Sequence, residues 1–516
     1  MKRFISLATI VLMVFSCQNE STTERWPYGV NYEVFVRSFA DGNGDGIGDI
    51  KGLTARLDYL QELGVGGVWL MPIMKSGSYH KYDVIDYKSI DPEYGTEEEF
   101  KTFVQEAHKR GIQVIIDLIL NHTGSDHPWF QEAIKGKGNP YRDYYVWADR
   151  DSIAEEISKK STSLDSDNIT QWHPVNGDTK AEHYYGFFYG GMPDLNFDNP
   201  KVKDEFVEVG KYWLNEMKVD GFRLDAAKHI FPTDRATDNH AFWIWFREEM
   251  EKIKPDVYLV GEVWSKAEDV APYLKGLPAL FNFDMGYAIT SVVKAGVDTI
   301  SLVSKYKEIN DFYKSVTPDY IDATFLKNHD QNRILSELDN DEAKARVGVS
   351  ILFTLPGTPY VYYGEEIGMK GMKPDEFIRE PFVWSAPGKD PMQTKWEAPK
   401  YSVPGAVVPL DEQQQDAGSL YQFYKNWIAY RNSHEIMTLG KLETTPFHYR
   451  EVVSLIRTLG DKKSLALHNI SDIEVTVSLS DKPEFKKLDF ATSSAIKIQN
   501  DQIKLPAHGS AILINR

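Results

Sequence analysis

One rhythm constrains this chain more than any other feature. From about residue 29 to residue 369, short apolar runs of strand length recur, each followed by a polar and apolar stretch of helical period. Residues 66–71, 114–119 and 257–262 are such runs. Runs this uniformly apolar belong to parallel strands covered on both faces by helices. Between them, Thr96 with Glu99 three residues on forms a capping-box pattern ahead of residues 100–104, which predicts a helix start there. Alternation over this length fits an α/β chain that closes as a (β/α)₈ TIM barrel or spreads as a long doubly wound sheet. No glycine-rich phosphate fingerprint accompanies it, so the barrel is the expected fold.

The rhythm is interrupted and then replaced. Residues 123–199 are rich in Trp, Tyr, His, Asp and Asn with few apolar runs, and read as a subdomain inserted after the third strand. The barrel is then expected over 26–122 and 200–430, with a long loop from about 370 to 416 and a helix over 421–431. From about residue 446 the pattern becomes period-two, as in residues 452–456 and 464–467, and predicts a C-terminal antiparallel β-sandwich within 431–516.

The amino terminus predicts where the protein lives. Lys2 and Arg3 precede an apolar run over residues 4–15, too short for the roughly 20 residues of a membrane span and suited to a secretory signal over residues 1–16. Val14, Phe15 and Ser16 before Cys17 resemble a bacterial lipoprotein signal, although Val14 stands where such signals usually carry Leu. Cys17 would be the lipidated first residue and residues 17–25 a polar tether, which places the protein beyond the inner membrane, lipid-anchored at the outer membrane surface. As the only cysteine, Cys17 also excludes an intramolecular disulfide or a cysteine-built zinc site. With 58 Lys and Arg against 76 Asp and Glu, the formal net charge is −18, which argues against nucleic acid or a direct anionic-membrane surface as a partner.

In a barrel of this kind the carboxyl ends of the strands carry the chemistry. Polar clusters stand at four of those ends: Asp117 with Asn121 and His122; Arg223 and Asp225 with Lys228 and His229; Glu262; and Asn328, His329 and Asp330. A single acid after a strand is usually the cap of the next helix. Four clusters in succession ask for more. Two carboxyl groups about 5–5.5 Å apart suit retaining glycoside hydrolysis, in which one attacks the anomeric carbon and the other protonates the leaving oxygen.

These motifs, in this order on successive strands, resemble glycoside hydrolase family 13, the α-amylase family, from residue 26 to the C-terminus. The resemblance implies that Asp225 is the nucleophile, Glu262 the general acid/base and Asp330 the stabiliser of the distorted sugar. It implies that Tyr82 stacks under that sugar, that His122 and His329 line its subsite, and that Arg223 aligns the nucleophile, with Asp117 acting through Arg223. Lys228 and His229 resemble the α-amylase pattern on the reducing-end side of a 1,4-linked glucan. Residues 192–196, beginning Met192-Pro193-Asp194, resemble a subgroup intermediate between oligo-1,6-glucosidases and neopullulanases that includes bacterial lipoprotein α-amylases. The expected activity is endo-acting α-1,4-glucan hydrolysis of starch, amylose or maltooligosaccharides. An exo-α-glucosidase, a cyclodextrinase or neopullulanase and a transglycosylase are the alternatives within the family, and a non-catalytic starch-binding surface lipoprotein is the alternative outside enzymology. Other surface starch-utilisation proteins would be its partners. The three retained carboxylates favour an enzyme.

A separate loop points to a cation. Asp41, Asn43, Asp45, Ile47 and Asp49 alternate with glycines, which offers oxygen donors at every second position around a sharp turn. An EF-hand would end in Glu at the twelfth position, where this loop has Gly52. In the family the matching loop holds a structural Ca²⁺ or Mg²⁺ through these residues, with the Ile47 carbonyl as the fourth donor. A second calcium site at Asn121 would need partners from the inserted subdomain, which the sequence does not identify.

Overall fold

The computed structural model of the chain describes residues 27–159, 171–445 and 447–515, so the signal segment, Cys17 and the tether lie outside the described residues. Eight strands carry the alternating region: β1 (Asn31–Val34), β2 (Gly67–Leu70), β3 (Gln113–Leu118), β4 (Gly221–Leu224), β5 (Tyr258–Gly261), β6 (Ala279–Phe281), β7 (Ile321–Phe325) and β8 (Thr358–Tyr362). Every neighbouring pair is parallel, and β1 pairs with both β2 and β8, closing the sheet into the expected barrel. Helices wrap it. One is α1 (Glu97–Lys109), where Thr96 and Glu99 exchange both bonds of the capping box and Phe100, Phe103, Val104 and Ala107 face the core.

Strand alternation fills the barrel and aims its upper rim. Inward-facing Trp69, Ile115, Tyr258, Val260, Phe281, Ala323, Phe325 and Tyr360 form one interior cluster. The same period of two continues the inward series from Ile115 to Asp117 on β3, and from Tyr258 and Val260 to Glu262 just past β5. Inside β4, Arg223 stands beside Asp117 in register, and Asp225 follows it two residues on.

Residues 123–199 leave the barrel after β3 and include a small antiparallel sheet of Trp147–Ala148, Trp172–Pro174 and His183–Tyr185. A bridge between His122 and Asp194 fastens it to the carboxyl end of the barrel, and one between Tyr145 and Leu195 ties the segment to itself.

At the other end, two helices lead into the C-terminal region: α2 (Glu342–Thr354), which precedes β8, and α3 (Leu420–Ser433). The C-terminal region has five antiparallel strands, β9 (Lys441–Thr444), β10 (Val452–Leu459), β11 (Lys462–Asn469), β12 (Lys487–Ala491) and β13 (Ser510–Ile514), in the order β9-β10-β11-β13-β12. A three-stranded sheet of Val475–Ser478, Gln502–Leu505 and Ile498–Gln499 covers one face, where Val452, Ile456, Leu465, Leu467 and Leu513 meet Val477, Ile503 and Leu505. The opposite face does not meet water. Val453, Leu455, Ala466 and Ile512 join the core cluster of the barrel and its helices. Among the described residues no helix is long and apolar enough to cross a membrane.

Arg431 on α3 and Arg457 on β10 are buried at this junction. Arg431 donates to the Phe353 and Leu355 carbonyls at 2.7 and 2.9 Å and to Gly357 at 2.6 Å. Arg457 donates to Thr354 and Met437, each at 2.8 Å, and to Gly440. Phe353 and Thr354 end α2, so the guanidinium groups satisfy carbonyls that a helix leaves without partners at its negative end.

Candidate active site

The four strand-end clusters converge around one guanidinium. Arg223 is buried, with Nη1 2.6 Å from Asp225 Oδ1 and 2.9 Å from both oxygens of Asp117, and Nη2 2.7 Å from Glu262 Oε2. Three carboxylates from β3, β4 and β5 therefore share one fixed cation. The planar fork of an arginine holds such a set in place where a point-charge ammonium would not. Ala226, directly after Asp225, has φ of +48°, and its N–H donates to Glu262 Oε2 at 3.3 Å.

Burial sets the protonation of this group. Burial pushes Glu262 up to about 7, helped by Asp225 and Asp330 and opposed by Arg223. Asp117 is pushed up to about 7 by burial as well, with Arg223 opposing and Asp225 adding to the rise. Asp330 goes the other way. Burial alone would raise it, but His329 and Arg379 hold it well below the usual carboxylate range.

Asp330 and His329 form the opposite wall. Asp330 lies 3.1 Å from His329 Nε2 and accepts from Arg379 at 3.0 Å. His329 Nδ1 is 2.5 Å from Glu33 on β1, and Tyr82 Oη is 2.6 Å from Nε2 and donates to Asp117 at 3.2 Å. Burial would lower the imidazole, but Asp330 and Glu33 raise it to about 10, so it is an imidazolium at neutral pH. The Tyr82 ring stacks on His329 with centroids 5.7 Å apart. His122 places one ring nitrogen 3.0 Å from Asn121 Oδ1 and the other 3.2 Å from the Tyr82 carbonyl; burial lowers it to about 4, so it is neutral and its single N–H can donate to only one of the two oxygens. His329 thus spends both ring nitrogens on the protein, and its geometric effect is to fix Tyr82 and Asp330.

The rim is aromatic. Lys228 Nζ donates to the Trp264 carbonyl at 3.3 Å, and His229 stacks on Phe187 at 3.9 Å. Phe188 of the inserted segment meets the His122 ring at 5.3 Å and is 46% exposed, as is Trp264, which lies flat on Phe283 at 4.6 Å.

All nine predicted substrate-side and catalytic positions, Tyr82, His122, Arg223, Asp225, Lys228, His229, Glu262, His329 and Asp330, therefore belong to one connected face. Glu33, Arg379, Phe188 and Trp264 complete it and were not anticipated. For Glu33 a signal existed: Asn31 and Glu33 are the alternate polar residues of the otherwise apolar β1. Asn121 donates to the His229 carbonyl and to Asp194 at 3.4 Å, which identifies the partner from the inserted segment. Its amide nitrogen faces both acceptors.

The Asp41–Asp49 loop lies apart from this face, between β1 and the helix Ile50–Ala55. Asp41 and Asp49 are buried, Gly44 and Gly46 have φ of +89° and +94° as the turn requires, and Asp49 caps the helix by accepting from Gly52. Asp41 accepts from Gly44 at 2.6 Å and Gly46 at 2.7 Å, and Asp45 from Ile47 at 2.8 Å. Burial first, then Asp41, pushes Asp49 up, while backbone N–H donors oppose. No ion pair to Asp41, Asp45 or Asp49 is present among the described residues. Asp41 and Asp49 thus take their hydrogen bonds from N–H groups of the loop itself, with no cationic side chain paired to them among the described residues, and the oxygen donors of the loop are of the type that a hard divalent cation takes.

Comparisons with known proteins agree on one family, whose members differ in activity. Residues 33–440 match the alpha-amylase catalytic domain, and residues 452–512 match the alpha-amylase SusG C-terminal domain. The chain is 40% identical over 504 residues to alpha-amylase 3 of Dictyoglomus thermophilum, covering 98% of this chain and 96% of that protein. It is 37% identical over 452 residues to 4-alpha-glucanotransferase of Thermotoga maritima, covering 86% and 96%. Its fold is similar to the crystal structure of alpha-amylase from H. orenii, with a TM-score of 0.84 and 42% identity over 95% of this chain and 99% of that one.

Proposed function

The chain belongs to glycoside hydrolase family 13, the α-amylase family, and from that premise we propose that it is a retaining, endo-acting α-1,4-glucan hydrolase. The observation that carries the reading is Arg223 holding Asp225 and Glu262 on its two nitrogens, with burial keeping a proton on Glu262 near neutral pH. In the first step the Asp225 carboxylate attacks the anomeric carbon while Glu262 gives its proton to the glycosidic oxygen, so the reducing-end fragment leaves as an alcohol. In the second, Glu262 takes a proton from water, the hydroxide oxygen bonds to the anomeric carbon, and the bond to Asp225 breaks. Asp330, kept ionised, faces the positive charge that develops on the sugar ring, and Tyr82 supports the ring from below.

Endo action is supported by Lys228 and His229, which follow the nucleophile, and by the exposed rings of Trp264 beside Lys228 and Phe188 beside His229. Transfer to a sugar acceptor is the second reading, favoured by the likeness to a 4-alpha-glucanotransferase. Time-resolved product analysis on amylose, pullulan, cyclodextrin, isomaltose and maltotriose tests both. Early mid-length products from amylose support endo hydrolysis, whereas longer chains built from maltotriose favour transfer. A trapped glycosyl-enzyme on any residue other than Asp225 would refute the mechanism.

Asp41, Asn43, Asp45, the Ile47 carbonyl and Asp49 would hold Ca²⁺, or Mg²⁺, as a structural ion that stiffens the loop after β1 and takes no part in the chemistry. We further propose that Cys17 is acylated and anchors the enzyme at the outer membrane surface, next to other starch-utilisation proteins, a setting consistent with its SusG-like C-terminal domain. Cys17→Ser should then release active protein from membranes. Protection of the wild type from protease on whole cells would place it on the periplasmic side instead.

A further inference from the structure

Beside the catalytic pair, the turn between strands Met74–Ser76 and Val84–Ile90 presents Tyr79, His80 and Tyr82 as a row of rings. His80 lies 5.9 Å from Tyr82 and 5.3 Å from Tyr79, and Tyr79 stacks on Trp396 at 5.3 Å. The residue in the middle points elsewhere. Lys81 is 2% exposed, and its ammonium lies 3.0 Å from Asp91 and 2.6 Å from Glu93, over the ring of Tyr94. Asp91 also accepts from the N–H groups of Ser76 and Glu93, and Arg37 is a second cation on Glu93 at 2.8 Å. The box is thus fully paired, as a buried charge requires.

Lys81 also has φ of +65°, in the left-handed region that a β-carbon disfavours. Such a conformation persists only where the surroundings impose it. On one side of it lies the buried ammonium, and the backbone N–H of Lys81 donates to Ser78 Oγ at 3.2 Å. What depends on it is Tyr82 on the other, because Tyr82 uses its hydroxyl on Asp117 and His329 and its carbonyl on His122. Relaxing residue 81 to a right-handed conformation would redirect the chain into Tyr82.

We propose that Lys81 is a positioning residue: its ammonium, locked between Asp91 and Glu93, holds the left-handed turn that sets Tyr82 against Asp117 and His329. The inference rests on the reading of Tyr82 as the ring beneath the reacting sugar. Peg and strain can be separated. Glycine at 81 adopts the same φ at no steric cost but has no peg, and methionine keeps the bulk but not the charge.

The test measures initial rates on maltoheptaose for Lys81→Gly, Lys81→Met, Tyr82→Ala and both double variants, with melting curves to verify folding. Lys81→Gly and Lys81→Met should lower kcat by about 10- to 100-fold, the cost of a misplacement of roughly 1 Å, and change KM by less than about threefold. Each double variant should be no slower than Tyr82→Ala alone, because Lys81 acts only through Tyr82. A buried ion pair that merely stabilised the hairpin would leave the folded variants at wild-type kcat. Full kcat in folded Lys81→Gly, or losses that multiply in the double variants, would overturn the proposal; should Lys81→Met not fold, the glycine pair decides. An inert wild type would instead remove the proposed function, an outcome distinct from wild type and Lys81 variants cleaving alike.

Discussion

A buried arginine at one end of the barrel and a buried pair at the other keep different company. At the carboxyl end Arg223 is ringed by Asp117, Asp225 and Glu262. At the amino end of β8, Arg431 and Arg457 donate to carbonyl oxygens and have no carboxylate in ion-pair contact among the described residues, and burial lowers them to about 9 and about 10. A full positive charge among carboxyl groups, two of them pushed up to about 7, creates a set of coupled protonation states, which is what acid/base chemistry needs. A full charge among carbonyls has nothing to exchange and serves only to satisfy backbone groups that would otherwise be buried without partners. Identical side chains thus build a reactive centre in one place and a seal in the other.

The contrast is tested by breaking each end. The largest effect belongs to the upper end: Glu262→Gln should lower kcat by about 10²- to 10⁴-fold and Asp225→Asn by at least as much, with the melting temperature nearly unchanged. Near-normal turnover in either would erase the distinction. Next in size, Arg431→Met should cost about 2–4 kcal/mol in urea unfolding, because the Phe353, Leu355 and Gly357 carbonyls lose their donors, while kcat per folded molecule is retained. Loss of kcat without loss of stability there would invert the comparison.

A smaller effect concerns pH. Because Glu262 is raised and must carry its proton to act, kcat/KM should fall as pH rises through about 7, tenfold per unit beyond it. The limb should vanish in Glu262→Gln and be unmoved in Arg431→Met. Smallest is the cation. Chelation should lower the melting temperature by roughly 2–6 °C, with recovery on adding Ca²⁺ and no change in the pH limb. A melting curve unchanged after verified metal removal would refute the Asp41–Asp49 site.

Legibility in the sequence follows from distance along the chain. Asp117, Arg223, Asp225 and Glu262 could be read because each continues the inward series of its own strand, a rule that needs only near neighbours. Glu33 could not be assigned to His329 because 296 residues separate them, and closure of the barrel brings them together. Arg379 reaches Asp330 from a long segment without periodicity. Asp194 was visible within its motif, but its contact with Asn121 depends on how the inserted segment folds back. In the C-terminal strands, alternation showed that two faces exist and left open what covers the second. Arg457 and His468 occupy that face as buried polar residues and would otherwise read as solvent positions.

That second face has a consequence for how the polypeptide can be cut and recombined. The five-stranded sheet is the middle layer of three, shared between the small sheet on one side and the helices around β8 on the other. It is not an appendage on a linker. A break near Gly440 would leave two fragments that adhere, and a transplant of residues 441–515 onto another barrel would carry a bare apolar surface unless α2 and α3 travelled with it.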